Sequence, residues 1–293
     1  MRILFITSNR LGDAVLSTGL LHHLIDERPQ AHFTIACGPV AQGVFARMPN
    51  RERTIVLDKR PYRLHWPDLW FETVTTIWDL VVDIRGSAIA WMIPARRRAV
   101  MRSRTGPKIA QLAALLRLDP PPLPMTWTAP EDQTRAATLL PADRPVIALA
   151  PTANWRPKVW PPERFAALFH ELTAGPLPGA IPAVFAGPGH REREMASPLL
   201  AALPESIDLT GQLSVPEAAA CLARTALFVG NDSGLMHLAA AAGAPTLGLF
   251  GPTDAAEYAP SGRRTAAVIA PTLQMQDLSV VQAFTAAADL LRH

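Results

Sequence analysis

Residues 227–238 read LFVGNDSGLMHL, and this stretch decides the fold class. The apolar run 227–230 has the length and composition of a buried strand. A polar turn follows it, and the small and apolar residues over 234–242 predict a helix. A strand that enters a helix through a tight polar turn is typical of α/β proteins with parallel sheets.

Outward from this stretch, strands and helices alternate along the chain. Further strands are predicted at 2–7, 32–37, 54–57, 79–84, 146–150, 183–186 and 246–250. Helices are predicted at 14–27, 40–47, 164–173, 215–224 and near 279–292. This alternation predicts parallel sheets joined by right-handed crossovers.

A proline-rich segment divides the chain. Five prolines fall between residues 119 and 130, which predicts an extended, semi-rigid linker. We therefore expect two domains of similar kind, 1–140 and 141–293, and the last helix could pack back toward the first. Because ligands of open α/β sheets bind beyond the carboxyl ends of the strands, the expected site is a cleft between the two sheets.

Composition excludes several classes of protein. The 28 basic and 25 acidic residues leave a net charge of only +3, which argues against a nucleic-acid partner. The two cysteines, Cys37 and Cys221, have no metal-binding spacing and favour a reducing compartment. No stretch approaches the roughly 20 apolar residues of a membrane helix, and the N-terminal apolar run is too short for a signal peptide. We expect a soluble cytoplasmic protein that could rest on a membrane surface.

The turn within 227–238 is the strongest candidate site. Backbone N–H groups and the positive end of the helix would converge there on an anion such as a diphosphate. Ser233 adds a hydroxyl, Gly234 allows close approach, and His237 lies one turn into the helix. Alternatively, Asp232 or Ser233 merely caps the helix and His237 is a buried polar residue.

The loop 151–161, PTANWRPKVWP, is the second candidate. It follows the first predicted strand of the second half and contains Thr152, Asn154 and Lys158. The 28 basic residues include only three lysines, so a lysine here is notable, and it could neutralise a departing diphosphate. The alternative is a solvated loop in which Trp160 packs on the core.

Three lesser candidates remain. Asp13 stands at the first loop-to-helix junction, where it could cap the helix or accept a proton from an attacking hydroxyl. The segment 187–192 could hold a ribose or base through Glu192 or Glu194, or simply begin a solvated helix. A cluster of arginines could form a solvated face or meet anionic phosphates. Its members are Arg96, Arg97, Arg98, Arg102 and Arg104.

Together these segments resemble glycosyltransferase family nine, the ADP-heptose:lipopolysaccharide heptosyltransferases. The matching stretches are 2–13, 79–86, 151–161 and, most specifically, 230–238 continuing to 249–254. The resemblance implies a GT-B fold, with two Rossmann-like domains whose parallel sheets face each other across a cleft. It also implies inverting transfer of a heptose from an ADP-sugar to a lipopolysaccharide core or related glycan, with no metal and no cofactor.

The resemblance also implies roles for individual residues. Asp13 would be the general base that activates the acceptor hydroxyl. Lys158 would also aid catalysis. The residues that would bind the nucleotide-sugar are Thr152, Asn154, Lys158, Glu192, Asp232, Ser233, Gly234 and His237. An anionic glycolipid acceptor would meet Arg96, Arg97 and Arg98, with contact at the inner face of the inner membrane.

Two features leave alternatives open. Thr18 and Gly19 stand where the family usually has a proline, and we expect an effect on helix packing alone. The region 58–78, with Trp66, Trp70 and Trp78, matches nothing firmly, so the acceptor is not identified. A GT-B transferase for another nucleotide sugar, or a catalytically silent nucleotide-sugar-binding protein, remains an alternative.

Overall fold

The computed structural model describes residues 1–58, 65–102 and 105–292. Lys59 and Arg104 lie outside the described residues, as does part of the region 58–78. The chain divides into two units, Met1–Trp127 and Thr128–His293. Each is an α/β unit around one parallel sheet, as the alternation of predicted strands and helices indicates.

The sheet of the first unit has five parallel strands. They are β1 (Arg2–Ile6), β2 (His32–Cys37), β3 (Arg51–Val56), β4 (Trp78–Asp83) and β5 (Ala95–Val100). Their spatial order is β3-β2-β1-β4-β5, the order that a Rossmann sheet follows. The order reverses between β1 and β4, so this pair forms the switch point where such sheets bind ligands.

The helices of the first unit are short. They are α1 (Leu11–Leu16), α2 (Thr18–Glu27), α3 (His65–Thr73), α4 (Ile89–Met92) and α5 (Lys108–Ala114), with a 3-10 helix at Pro39–Phe45. The helix predicted at 14–27 is divided at Ser17, whose hydroxyl donates to the Ala14 carbonyl at 2.7 Å. Such a side-chain bond competes with regular helical bonding, which accounts for the division.

The proline-rich segment packs on α2 instead of forming a free linker. Met125 N–H donates to the Thr18 hydroxyl at 2.9 Å. A Cβ atom at Gly19 would stand 2.5 Å from the carbonyl oxygen of Pro122 and 2.8 Å from that of Leu123. Gly19 therefore allows a close approach of two backbones that a larger residue would prevent.

The sheet of the second unit has six parallel strands. They are β6 (Val146–Ala150), β7 (Ile181–Val184), β8 (Ile207–Asp208), β9 (Leu227–Asn231), β10 (Thr246–Phe250) and β11 (Thr265–Ile269). Their order is β11-β10-β9-β6-β7-β8, which is again the Rossmann order, with its switch point between β6 and β9. The predicted strands at 146–150 and 246–250 coincide with β6 and β10.

Seven helices of the second unit cover this sheet in the described residues. They are α6 (Pro130–Leu139), α7 (Pro162–Ala174), α8 (His190–Ala202), α9 (Val215–Leu222), α10 (Gly234–Ala241), α11 (Ala255–Tyr258) and α12 (Val280–Arg292). Helix α6 packs on α9, so residues 128–140 belong to the second unit and not, as expected from the sequence, to the first. Helix α12 packs on α7 and β11, and its expected return to the first domain stays a prediction.

A large apolar core fixes the framework of the second unit. Trp160 is fully buried there, packs edge-on against Phe165 at 5.0 Å, and donates its indole N–H to the Leu278 carbonyl at 2.8 Å. The packing of Trp160 on the core, which belonged to the alternative interpretation of this loop, is therefore observed. Within the part of the chain that the structure describes, no helix combines the length and apolar character needed to cross a bilayer.

Candidate nucleotide-sugar site

The switch point of the second unit brings together the two strongest sequence motifs. Strands β6 and β9 are neighbours, with Ala150 aligned to Gly230. The loop 151–161 leaves the carboxyl end of β6, and the turn at Asn231–Ser233 leaves that of β9. Parallel strands end at one edge of the sheet, so these two segments lie side by side.

Lys158 and Asp232 form the central contact of this edge. The Lys158 Nζ atom lies 2.6 Å from Asp232 Oδ2, and the two side chains are only 17% and 8% exposed. A short, largely buried, charge-assisted hydrogen bond is stronger than a solvated surface pair. The alternative of a freely solvated loop is therefore wrong for Lys158.

Asn231 anchors the lysine loop to the sheet. Its Oδ1 atom accepts a hydrogen bond of 3.0 Å from the backbone N–H of Trp160, two residues beyond Lys158. The Asn231 side chain is fully buried, and its Nδ2 atom has no hydrogen-bond partner within the described residues. Sequence analysis did not single out this residue, although it lies inside the quoted stretch.

The amino end of α10 is open. Ser233 is the residue before the helix and has extended backbone (φ −150°, ψ 171°), but its side chain makes no capping hydrogen bond. Its buried Oγ atom has no partner among the described residues. The first N–H groups of a helix carry partial positive charge and need acceptors, so an uncapped end suits an anion. The sequence left open whether Ser233 caps the helix or faces an anion, and the structure does not support the cap.

The other residues predicted from the loop 151–161 and from α10 differ in exposure. Thr152 and His237 are buried, at 3% and 4% exposure, whereas Asn154 is exposed and its carbonyl accepts a bond from Arg191. The backbone N–H of His237 donates to the Ser233 carbonyl in the first turn of α10. Thr152 is the second residue after β6 and belongs to the same loop as Lys158.

A pocket of about 210 Å³ opens at the carboxyl ends of β7 and β8. It is lined by Gly187, Gly189, His190, Arg193, Thr210 and Gly211. Gly189 has φ +107°, a backbone conformation that glycine tolerates best. Sequence analysis identified the segment 187–192 but not Thr210–Gly211, which follows the two-residue strand β8.

Arg193 lines this pocket, and Glu192 bonds to the backbone of Gly187 in its wall. The Glu192 carboxylate accepts a 3.3 Å bond from the Gly187 N–H, whereas Glu194 is exposed. Arg193 donates to the Asp208 carboxylate and to the Thr210 carbonyl. Burial raises the pKa of Asp208, but bonds from Thr210 and Arg193 outweigh it and lower the pKa overall. Of the two glutamates, Glu192 is the one that contacts the loop.

Asp13 lies at the switch point of the first unit. It falls in the first turn of α1, after β1, and its Oδ2 atom accepts a 3.1 Å bond from the Ser8 hydroxyl. The positive end of a helix stabilises a carboxylate in this position.

Arg85 reaches the same switch point from β4. Its Nη1 atom donates to Asn9 Oδ1 at 3.3 Å, and its guanidinium lies 4.6 Å from the centre of the Trp66 ring. Burial lowers the pKa of Arg85, which the nearby Asp83 carboxylate opposes. Burial raises the pKa of Asp83, while hydrogen bonds from Ser87 and Arg85 act against that rise. Sequence analysis did not assign Arg85 to the site.

The three arginines proposed for the acceptor lie on the edge strand β5. Arg96 is paired with Asp79 at 3.1 Å. Arg98 is held by bonds to the carbonyls of Ala90, Ile93 and Ala95, so it supports the chain around α4. Arg97 is exposed.

Metal-binding groups are absent from the described residues. Across 1–58, 65–102 and 105–292, no three His, Cys, Asp or Glu side chains are grouped so as to hold a metal ion.

Known proteins resemble this chain over nearly its whole length. It is 25% identical to lipooligosaccharide heptosyltransferase 2 of Haemophilus influenzae, over 89% of this chain and 86% of that protein. Two solved structures are similar in fold. The glycosyltransferase family 9 protein of Veillonella parvula has a TM-score of 0.83 at 22% identity and covers 99% of this chain and 97% of its own. The ADP-heptose LPS heptosyltransferase II of E. coli has a TM-score of 0.79 at 21% identity and covers 100% and 99%.

These likenesses confirm the predicted fold class, GT-B with two Rossmann-like domains. The family model described as glycosyltransferase family 9 (heptosyltransferase) matches residues 93–287, which include both motifs at the second switch point. The chain belongs to glycosyltransferase family 9, the heptosyltransferases.

Proposed function

We propose that this protein transfers a heptose from ADP-heptose to a lipopolysaccharide core or related glycan acceptor, with inversion at the anomeric carbon and without a metal. The observation that carries the proposal is the Lys158–Asp232 pair at the uncapped amino end of α10. This edge offers a cation, open N–H groups and a buried hydroxyl to a diphosphate. The names of the E. coli and H. influenzae proteins support the choice of donor and acceptor.

The second unit supplies the donor site. Lys158, the N–H groups that begin α10 and Ser233 would bind the diphosphate, with Asp232, Gly234 and His237 close to it. Thr152 and Asn154 would contribute from the loop after β6. The pocket beside Glu192 is large enough to hold part of a nucleoside and has hydrogen-bonding backbone in its walls.

The first unit supplies the base. Asp13 would accept the proton of the acceptor hydroxyl while its oxygen bonds to the anomeric carbon of the heptose. The bond from that carbon to the diphosphate oxygen breaks in the same step, and ADP leaves with the additional negative charge. Lys158 and the end of α10 stabilise that charge, which is the electrostatic contribution that often dominates catalysis.

The acceptor is proposed to be an anionic glycolipid at the inner face of the inner membrane. Arg96 and Arg97 would meet its anionic groups because both side chains are exposed. Arg98 would contribute less, since its guanidinium already donates three bonds to backbone carbonyls.

A transfer assay tests this function. The protein is incubated with ADP-heptose and a heptose-deficient core lipid, and ADP release, product mass and anomeric configuration by NMR are measured. Transfer with inverted configuration is expected. Transfer from only another nucleotide sugar would replace the donor assignment, and ADP binding without any transfer would identify a silent binding protein.

A further inference from the structure

An exposed apolar cluster covers the outer side of α3 and α4 in the first unit. Phe71, Trp91 and Met92 are 68%, 56% and 62% exposed. The Phe71 ring packs edge-on against Trp70 at 5.2 Å, and the Trp70 indole N–H donates to the Met92 carbonyl at 3.2 Å. These contacts hold α3 against α4, where Trp91 and Met92 are neighbours in sequence.

The inner side of the same layer is already occupied. Leu69, Ile89, Ala90 and Ile93 are buried in the core cluster beneath α3 and α4. The exposed residues are therefore additional to the core that the layer needs. Contiguous exposed apolar residues of this kind usually mark an interaction surface.

Two arginines border the patch. The Cζ atoms of Arg98 and Arg102 lie 6.0 and 5.8 Å from the centre of the Trp91 ring. Stacking on an aromatic face holds a guanidinium beside the apolar surface. We call this set the Trp91 surface. Its members are Trp70, Phe71, Trp91, Met92, Arg98 and Arg102.

Nearby acidic groups are largely balanced. Glu72 on α3 is paired with Arg53 at 3.3 Å, and Asp79 on β4 is paired with Arg96 at 3.1 Å. Asp68 is the remaining acidic residue of α3. The two arginines beside Trp91 thus leave the surface positive, which complements an anionic partner.

We infer that the Trp91 surface docks the protein on an anionic phospholipid bilayer. Indole and phenyl rings favour the boundary between headgroups and acyl chains, while the exposed Arg102 beside Trp91 would meet lipid phosphates. The apolar residues and the cations lie side by side, as peripheral membrane binding requires. This inference rests on the proposed action on a membrane glycolipid and assigns its contact to named residues.

One end of the surface lies near the candidate base. Arg102 follows the carboxyl end of β5, and Asp13 follows that of β1. The two strands are separated by β4 alone, so their spacing across the sheet is about 10 Å. Phe71 and Met92 lie toward the other edge, because Thr73 and Pro94 both accept bonds from Trp78 at the start of β4.

Vesicle flotation without donor or acceptor tests the inference. Wild-type protein is expected to float with vesicles of phosphatidylcholine and phosphatidylglycerol at 7:3, and much less with phosphatidylcholine alone or at high salt. Trp91→Ser and Phe71→Ser should each weaken binding about tenfold, since each removes a large apolar side chain from the contact. Arg102→Glu should weaken it at least about fivefold.

Matched variants in the second unit serve as controls. Val281→Ser removes a side chain that is 72% exposed on α12, and Arg224→Glu reverses an exposed charge. Both should bind vesicles like wild type. Equal binding by the Trp91 surface variants and the controls, or no binding of wild type to anionic vesicles, would overturn the inference.

A second measurement separates lipid from protein partners. Sedimentation velocity of wild type and Trp91→Ser should give the same molecular mass. A wild-type dimer that Trp91→Ser dissociates would instead make the surface a contact between copies. An ADP-induced thermal shift, which should equal that of wild type, verifies that each variant is folded. Vesicle binding by a protein that shows no transfer would reject the proposed function and leave the docking intact.

Discussion

The ammonium group of Lys158 lies 2.6 Å from the carboxylate of Asp232, so the cation proposed for the donor is already fixed at the amino end of α10. The pair spans the switch point, because one residue follows β6 and the other follows β9. A diphosphate bound there would share the lysine with Asp232. The helix end stabilises the carboxylate and the diphosphate alike.

Removing the lysine should weaken binding and catalysis together. Lys158→Ala takes away the cation next to the leaving group and leaves Asp232 without its partner. We expect kcat/KM to fall by roughly 10²–10³ and ADP affinity to fall as well, because one preorganised charge contact is lost. Steady-state kinetics and calorimetric ADP titration measure both. Lys108→Ala, in α5 of the first unit, is the control, and unchanged kinetics of Lys158→Ala would reject the role.

Replacing the proposed base, Asp13, should slow transfer without weakening ADP binding. Asp13→Asn keeps the size of the side chain and its bond with Ser8, but the amide cannot accept the acceptor's proton. Transfer should fall by about 10²–10⁴, the range for general base catalysis, while ADP affinity stays unchanged. Asp26→Asn, on the exposed side of α2, should behave as wild type. Normal turnover by Asp13→Asn would remove Asp13 from the mechanism.

Asn231 should act by positioning the lysine loop. Asn231→Leu removes the acceptor of the Trp160 N–H, and an unsatisfied buried donor costs about 1–3 kcal/mol. The melting temperature should fall and the KM for the donor should rise, with kcat changed less than in Lys158→Ala. A drop in melting temperature with no change in KM would show a structural role only.

Gly19 should resist substitution because a neighbouring backbone occupies the space of its Cβ atom. In Gly19→Ala the new methyl would meet the Pro122 carbonyl at 2.5 Å, and overpacking of this kind costs about 1–3 kcal/mol. Denaturant unfolding measures the loss. His22→Ala on the same helix removes only a 3.5 Å exposed pair with Asp26 and should change stability little. Full stability of Gly19→Ala would show that the proline-rich segment moves aside.

The two thiols should be unreactive in the folded protein. Burial raises the pKa of Cys37 to about 12 and that of Cys221 to about 11. A thiol reagent at pH 8 should therefore label neither in the native state and both after unfolding. The folded pKa values exceed the unfolded ones. The contribution of the two neutral thiols to the free energy of unfolding is therefore present below about pH 9 and is lost as the pH rises through 11 to 12. Rapid labelling of the native protein would contradict the burial of both residues.

Several apolar strands could be predicted from the sequence, and the edge strand β5 of the first unit could not. Strands β2, β6 and β10 have continuous apolar or β-branched runs, and their predicted bounds coincide with the structure. Strand β5 reads Ala-Arg-Arg-Arg-Ala-Val, and three consecutive arginines do not show the apolar pattern of a strand. An edge strand tolerates charges because only one side of it pairs, and its charges discourage further pairing.

The candidate site could be predicted only where its residues follow strands that the sequence reveals. Polar residues that follow predicted strands come together when the strand order is known, and Lys158 and Asp232 do so. The pocket lining at Thr210–Gly211 follows a strand of two residues, which carries no periodic signal. Arg85 contacts Asn9 across the β1–β4 switch point, a contact that depends on spatial order and not on spacing along the chain.

A crystal structure with ADP bound tests the central claim most directly. The account predicts that diphosphate oxygens lie within hydrogen-bond distance of Lys158 Nζ and of the Gly234 backbone N–H at the start of α10. A diphosphate bound elsewhere, with the Lys158–Asp232 pair untouched and the helix end facing solvent, would contradict it.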